Sequence, residues 1–283
     1  MVMLYLVALL DPIGGQKIGT TFGSFLKSNV GARAEALFSG IAITDDATAA
    51  YMNSSILAFL DRKGVAFSHR LLPAEINHSF LSYYFRKGYW GLGFFVNSLW
   101  TPYDEVTTEY NPYGSGYFWN FSDIVLGLSA ATSLYDRFAI GGSLKFLQEN
   151  LYDTSYYAFM LDFSSIYLVG YRDIRIGMGI YNIGPDVSGW ALPVTFRLGI
   201  SGRLYRSLYG AAQLEKQSDN YEIFSLGLEY RMDVLHLRAG ITSRGEKAFG
   251  LGLITKKMRL DYTYTDRGLF GATNTFTIGV NWK

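Results

Sequence analysis

From about residue 64 to the carboxyl end, apolar and polar side chains alternate with a period of two. In the last segment Phe276, Ile278, Val280 and Trp282 share one face, while Thr275, Thr277, Gly279 and Asn281 take the other. Leu260, Tyr262 and Tyr264 alternate with Arg259, Asp261 and Thr263, and Leu235, Leu237, Ala239 and Ile241 with His236, Arg238, Gly240 and Thr242. Side chains on a strand point to opposite faces in turn, so each run has one apolar and one polar side. No helical period fits as well. The pattern predicts fourteen strands, near 64–70, 75–86, 88–99, 119–133, 137–148, 155–169, 173–183, 193–203, 207–216, 221–231, 234–243, 247–255, 257–266 and 272–282. An even number of strands about ten residues long suits tilted crossings of a bilayer.

The connections sharpen this. Tight turns (86–88, 135–137, 171–173, 231–233, 255–257) alternate with looser loops (100–118, 149–154, 184–192, 217–220, 267–271). Short turns at one rim and longer loops at the other mark an outer-membrane barrel, with the long loops facing outwards. The fold expected is therefore all-β, a fourteen-stranded antiparallel transmembrane β-barrel over 63–283. Residues 13–62 lack the alternation and are read as an amino-terminal hatch or plug, with a short helix through Ala47–Tyr51 capped by Thr44 or Asp45. Fourteen strands enclose more space than wall side chains fill. Residues 1–12, apolar up to Asp11-Pro12, are too short to span and read as a leader, a truncated signal peptide. The location implied is a bacterial outer membrane.

Composition narrows the functional classes. Of the 283 residues, 17% are aromatic and only 17% charged, with a net charge of +1 and no cysteine. Disulfide scaffolds and thiolate metal sites are excluded, and the missing basic excess argues against nucleic acid. A basic residue facing lipid at the bilayer midplane costs about 2–4 kcal/mol. Lys145, Arg175, Arg197, Glu229, Arg238, Arg259 and Asp261 are therefore expected on the lumen face. Tyr157, Tyr167, Tyr209, Tyr230 and Trp282 are expected in interfacial girdles. His69 and His78, with serines nearby and Glu75, suggest a hydrolase pair or a metal site only through unspecific spacing. No catalytic residue, metal or cofactor is expected.

The stretch FLKSNVGARAEALFSGIAITDDATAAYMNSSILA carries Gly31-Ala32-Arg33, Asp45-Asp46-Ala47, Tyr51, Asn53 and Leu57. It resembles the start of PorV/PorQ-type proteins, barrels related to the FadL group of long-chain fatty acid transporters. Matches continue at 134–151, 181–184, 192–201, 237–241 and 260–280, in order. The sequence departs at Ser54-Ser55-Ile56, where the family has Pro-Ala-Gly, and at Phe38-Ser39-Gly40-Ile41, where it has Met-Gly-Gly-Ala. The resemblance implies a fourteen-stranded barrel with a hatch that includes Arg33, Asp45, Asp46 and Asn53. It also implies one of two roles. The first is a scaffold or shuttle whose partners are secreted cargo or components of type IX secretion. The second is FadL-like passive transport of hydrophobic small molecules such as fatty acids and hydrocarbons. The loop from Trp100 to Tyr117, with Trp100, Tyr103, Tyr110, Tyr113 and Tyr117, is the exposed aromatic feature either role would use.

Overall fold

The alternation closes into a cylinder in the structure, a computed structural model that describes residues 18–282. The wall strands are β1 (Lys63–Leu71), β2 (Asn77–Lys87), β3 (Trp90–Trp100), β4 (Phe121–Tyr135), β5 (Phe138–Leu151), β6 (Thr154–Leu168) and β7 (Arg175–Ile183). They continue as β8 (Thr195–Tyr205), β9 (Leu208–Gln217), β10 (Ile223–Met232), β11 (Leu235–Thr242), β12 (Lys247–Ile254), β13 (Met258–Asp266) and β14 (Ala272–Trp282). Each pairs antiparallel with its neighbours in sequence, and β1 closes on β14 in the register Lys63↔Trp282 to Leu71↔Asn274. Closure leaves no unpaired edge for lipid to meet.

The outer face is apolar. Leu126, Leu128, Phe159, Phe163, Leu226, Phe249 and Ile278 all stand exposed there, which water would penalise and lipid does not. Tyr157, Tyr167, Tyr230 and Trp282 are also exposed. Tyr209 departs from the girdle expectation. It lines a cavity inside one rim, under the Arg231 guanidinium at 3.5 Å from its ring centroid. The register Ser201↔Ala211 and Arg203↔Tyr209 puts it on the inward parity of β9.

One rim carries the connections 88–89, 136–137, 169–174, 206–207, 233–234 and 255–257, and the other carries 72–76, 101–120, 152–153, 184–194, 218–222, 243–246 and 267–271. The alternation of turns and loops holds, with two exchanges: 152–153 is tight and 169–174 is not. By the usual polarity of such barrels the first rim is periplasmic and the second extracellular. Trp100 is the last residue of β3 rather than part of the loop beyond it. That loop is pinned by a two-residue ladder, Asp104–Glu105 with Phe118–Trp119.

The described part of 13–62 lies inside the barrel, while residues 1–12 and 13–17 fall outside the described residues. It contains a 3-10 turn (Ser24–Lys27), α1 (Ala32–Leu37), α2 (Ala49–Met52) and a second 3-10 turn (Ser54–Phe59). The strong helix formers Ala-Arg-Ala-Glu-Ala-Leu build α1, which ends where Phe38 turns left-handed at φ 45°. The second helix starts later than expected, at Ala49, because neither Thr44 nor Asp45 is free to cap it. Thr44 donates to the Gly40 carbonyl and Asp45 binds guanidinium groups. Asp46 takes the Thr48 amide and hydroxyl instead.

Wall glycines let this segment come close. A methyl group at Gly91 would strike the Leu57 carbonyl, one at Gly177 the Ile41 carbonyl, and one at Gly240 the Ala36 carbonyl. Glycine facing a lumen marks close backbone approach.

Candidate functional site: the lumen and its two mouths

The lumenal segment meets two kinds of wall. Against β2–β6 the contact is apolar. Leu26, Val30, Tyr51, Met52, Ile56 and Leu57 pack with Phe80, Phe95, Val125, Leu147 and Met160 in one buried cluster. Tyr51 lies edge-on to Phe95 with ring centroids 5.3 Å apart.

Against β10–β14 the contact is ionic. Glu229 Oε2 receives Arg33 Nη2 at 2.9 Å, and Glu229 Oε1 receives Arg238 Nε at 2.7 Å. Arg231 adds a third guanidinium at 2.8 Å. Arg238 continues to Asp261 at 2.5 Å, Arg259 approaches Asp261 at 3.6 Å and Asp45 at 2.9 Å, and Arg33 closes the ring on Asp45 at 2.8 Å. Arg259 also binds Asp46. Burial opposes charge on Asp45, yet the Arg259 and Arg33 guanidiniums hold its carboxyl below the usual carboxylate range. A second group sits nearer the extracellular rim, where Glu35 of α1 binds Arg70 at 2.8 Å and Arg267 at 2.6 Å. Those two guanidiniums outweigh burial and lower the Glu35 pKa.

The structure thus brings Glu229, Arg238, Arg259 and Asp261 together with Arg33, Asp45 and Asp46 of the lumenal segment. Arg197 lies elsewhere on the inner face, bound to Glu215 at 2.8 Å and to the Lys27 carbonyl at 2.9 Å. Lys145 sits across the lumen with Asp162 at 2.7 Å and Asn182 Oδ1 at 2.6 Å. Asn182 is a left-handed residue (φ 61°) at a bulge where β7 stops following β6, and the bulge turns its side chain inward. Arg175 lines a cavity of about 100 Å³ at the periplasmic mouth with Asp45, Glu229 and Tyr209, and joins none of these pairs. Asn53 serves its own segment: it accepts the Ser55 amide and donates to the Ile41 carbonyl at 2.6 Å.

Sequence reasoning missed Glu35, Arg70, Asp162 and Glu215. Arg70, Asp162 and Glu215 fall on the polar parity of expected strands, so the same midplane argument reaches them. Glu35 lies where no period helps.

The hydrolase spacing does not assemble. The register Arg70↔His78 and His69↔Ser79 places the two histidines on opposite faces of the wall. His69 Nδ1 meets Ser79 Oγ at 3.0 Å on the outer face, with no acid to orient it. His78 is buried inside against Asn97. Among the described residues no group of three or more metal-ligating side chains forms.

At the extracellular mouth a second cavity, of about 440 Å³, lies between the lumenal segment and the ends of β3–β6. Its walls include Phe22, Phe121, Tyr156 and Trp190, with Asp123 and Glu149. Beyond it the 101–120 loop is open to solvent: Tyr110 and Tyr113 are 93% and 100% exposed, and Tyr103 and Tyr117 are exposed as well.

No family model and no curated protein matches the sequence. Solved structures do match by fold. A TodX monoaromatic hydrocarbon channel mutant (deltaS2S3) superposes with a TM-score of 0.63 at 13% identity, covering 91% of this chain and 98% of that one. The Pseudomonas putida toluene transporter TodX gives 0.60 at 11% identity, over 90% and 97% of the two chains. A Pseudomonas aeruginosa FadL homologue gives 0.53 at 11% identity, over 96% and 98%. These matched structures are channels and transporters rather than enzymes. With its lipid-facing apolar belt and closed wall, the chain is a fourteen-stranded β-barrel of outer-membrane type, with the fold that TodX and the FadL homologue share.

Proposed function

We propose that this protein is a passive outer-membrane channel for small hydrophobic molecules, with residues 18–62 acting as its hatch. The observation that carries this is the extracellular cavity. It has the size of a small-ligand site and aromatic walls, and its floor is the apolar side of the hatch. A molecule that leaves water there continues along an apolar seam once the hatch yields. The fold shared with TodX supports the reading, and the periplasmic cavity gives an exit.

A disulfide tests it. Ser54 of the hatch and Ser164 of the wall approach to 2.9 Å between hydroxyl oxygens, and the chain has no cysteine of its own. Oxidised Ser54→Cys/Ser164→Cys protein in proteoliposomes should lose toluene uptake, and reduction should restore it. Uptake that ignores the crosslink would overturn the hatch route.

The scaffold role of PorV-type proteins is the second reading. The exposed aromatic loop favours it, since tyrosine-rich surfaces suit protein partners. That role predicts loss of cargo capture when the loop is cut, with toluene flux intact.

A further inference from the structure

The extracellular cavity differs chemically from the rest of the lumen. Elsewhere the buried carboxylates meet a basic side chain: Glu35, Asp162, Glu215, Asp219, Glu229 and Asp261 all do. Asp123 does not. It is 2% exposed, and its Oδ1 is buried without a hydrogen-bond partner. Its cross-strand neighbour in the register is Glu149, so two acids face one space. Among the described residues that line the cavity there is no lysine, arginine or histidine.

A buried carboxylate without a partner is costly, and a bound ligand that brings the missing charge removes that cost. The remaining wall says what kind of ligand. Phe22 and Tyr156 stand edge to face at 5.9 Å, with Phe121 and Trp190 alongside. Aromatic faces and carboxylates together are the two groups that attract an ammonium ion on an apolar body. About 440 Å³ holds one ring with a short chain.

We infer that this cavity binds an organic cation, a protonated amine carried on an aromatic or short aliphatic body. The ammonium sits at Asp123 and Glu149 and the body lies against Tyr156 and Trp190. This deepens the channel reading by naming a substrate class, and it rests on that reading only for passage of the amine once bound.

Titration calorimetry of the whole chain in detergent micelles at neutral pH tests it, with benzylamine against its neutral relatives toluene and benzyl alcohol. Benzylammonium should bind about tenfold or more tighter than either. Asp123→Asn should abolish that preference and Glu149→Gln should weaken it. Asp123→Asn should also leave the melting temperature of the ligand-free protein unchanged or raised, because the aspartate has no ion pair and no bond through Oδ1 to lose. A purely structural aspartate would lower it. Equal binding of the three compounds, or an amine preference that survives both substitutions, overturns the inference. Toluene flux through the Ser54→Cys/Ser164→Cys protein reads the channel separately. Amine binding without any toluene flux would leave this site standing and remove the channel reading.

Discussion

The two sides of the lumen hold the same short segment by opposite means. Toward β2–β6 the lumenal segment is held by packing, with Phe95 and Leu57 almost fully buried and few charges beyond Lys145 with Asp162. Toward β10–β14 it is held by guanidinium–carboxylate pairs, with alanines and glycines leaving little to pack. Packing is non-directional and scales with area, so an apolar contact that shifts by an ångström keeps part of its energy. A buried ion pair does not, because a charge left alone in a low dielectric costs more than the pair contributed. On the channel reading proposed above, the packed side would therefore give way in small steps, and the ionic side would open all at once or stay shut.

The hub of the ionic side is the place to break this contrast. Glu229→Ala leaves Arg33, Arg238 and Arg231 without their shared carboxylate, and removing one partner of a buried pair costs about 3–5 kcal/mol. Local opening of that side should rise by roughly two or three powers of ten. Because the chain lacks cysteine, Ser39→Cys and Ser54→Cys serve as reporters for the ionic and packed sides. Maleimide labelling of Ser39→Cys should accelerate sharply in Glu229→Ala and that of Ser54→Cys only slightly. Equal acceleration would mean the hatch moves as one body.

The converse substitution is Leu57→Ala. Leu57 is 1% exposed in the apolar cluster, and such truncations cost about 2–5 kcal/mol with part of the loss recovered by collapse. The Ser54→Cys reporter should respond to it more than Ser39→Cys. Both variants should lower the denaturant midpoint in detergent, with Glu229→Ala lower than or equal to Leu57→Ala.

How much of this was legible in the sequence depends on the range of each interaction. The strands were readable because the alternation repeats inside every segment, and the lumen charges because one energetic rule sorts faces. The partners of those charges were not, since Arg33 finds Glu229 across 196 positions and no local pattern encodes that meeting. Glu35 sits in a segment without a period, so nothing marked it as buried. Tyr209 was misjudged: expected at the lipid interface, it lies on the inward parity of its strand, where one step along the chain exchanges inside for outside. The bulge at Asn182 left only an asparagine as its trace, a residue tolerant of left-handed backbone but common elsewhere. The unpartnered Asp123 was in principle visible as an acid on the polar parity of β4, but its lack of a partner is a property of the assembled cavity.

Acid separates the two sides more gently. Glu35 and Asp45 titrate below the ordinary carboxylate range, despite burial, because of Arg70 with Arg267 and of Arg259 with Arg33. A lowered folded-state pKa contributes stability that is complete above the unfolded value, about 4, and lost only as pH falls through the folded value. Between pH 7 and about pH 4 the ionic side should therefore stay shut. Below that its amides, read by hydrogen exchange corrected for intrinsic rates, should open before those of Ser54–Phe59. Arg259→Gln should move the onset for Asp45 upward toward the ordinary range. Opening of both sides at one pH would contradict a division of labour.

The smallest effect should come from the loop outside both. Residues 103–117 are joined to the barrel through the two-residue ladder and through the Thr101 amide, which donates to the Phe121 carbonyl; Tyr110 and Tyr113 bury nothing. Replacing 103–117 by a short Gly-Ser link should change stability by no more than about 0.5 kcal/mol, as for surface changes that touch no core group. Labelling of Ser39→Cys and Ser54→Cys should be unaltered, since neither side of the lumen reaches the loop. Toluene flux is then the informative measurement. Unchanged flux assigns the loop no part in passage and leaves its tyrosines to a partner. A fall in flux with both reporters still protected makes the loop part of the path, ahead of the hatch, and extends the packed side of the lumen outwards past the rim.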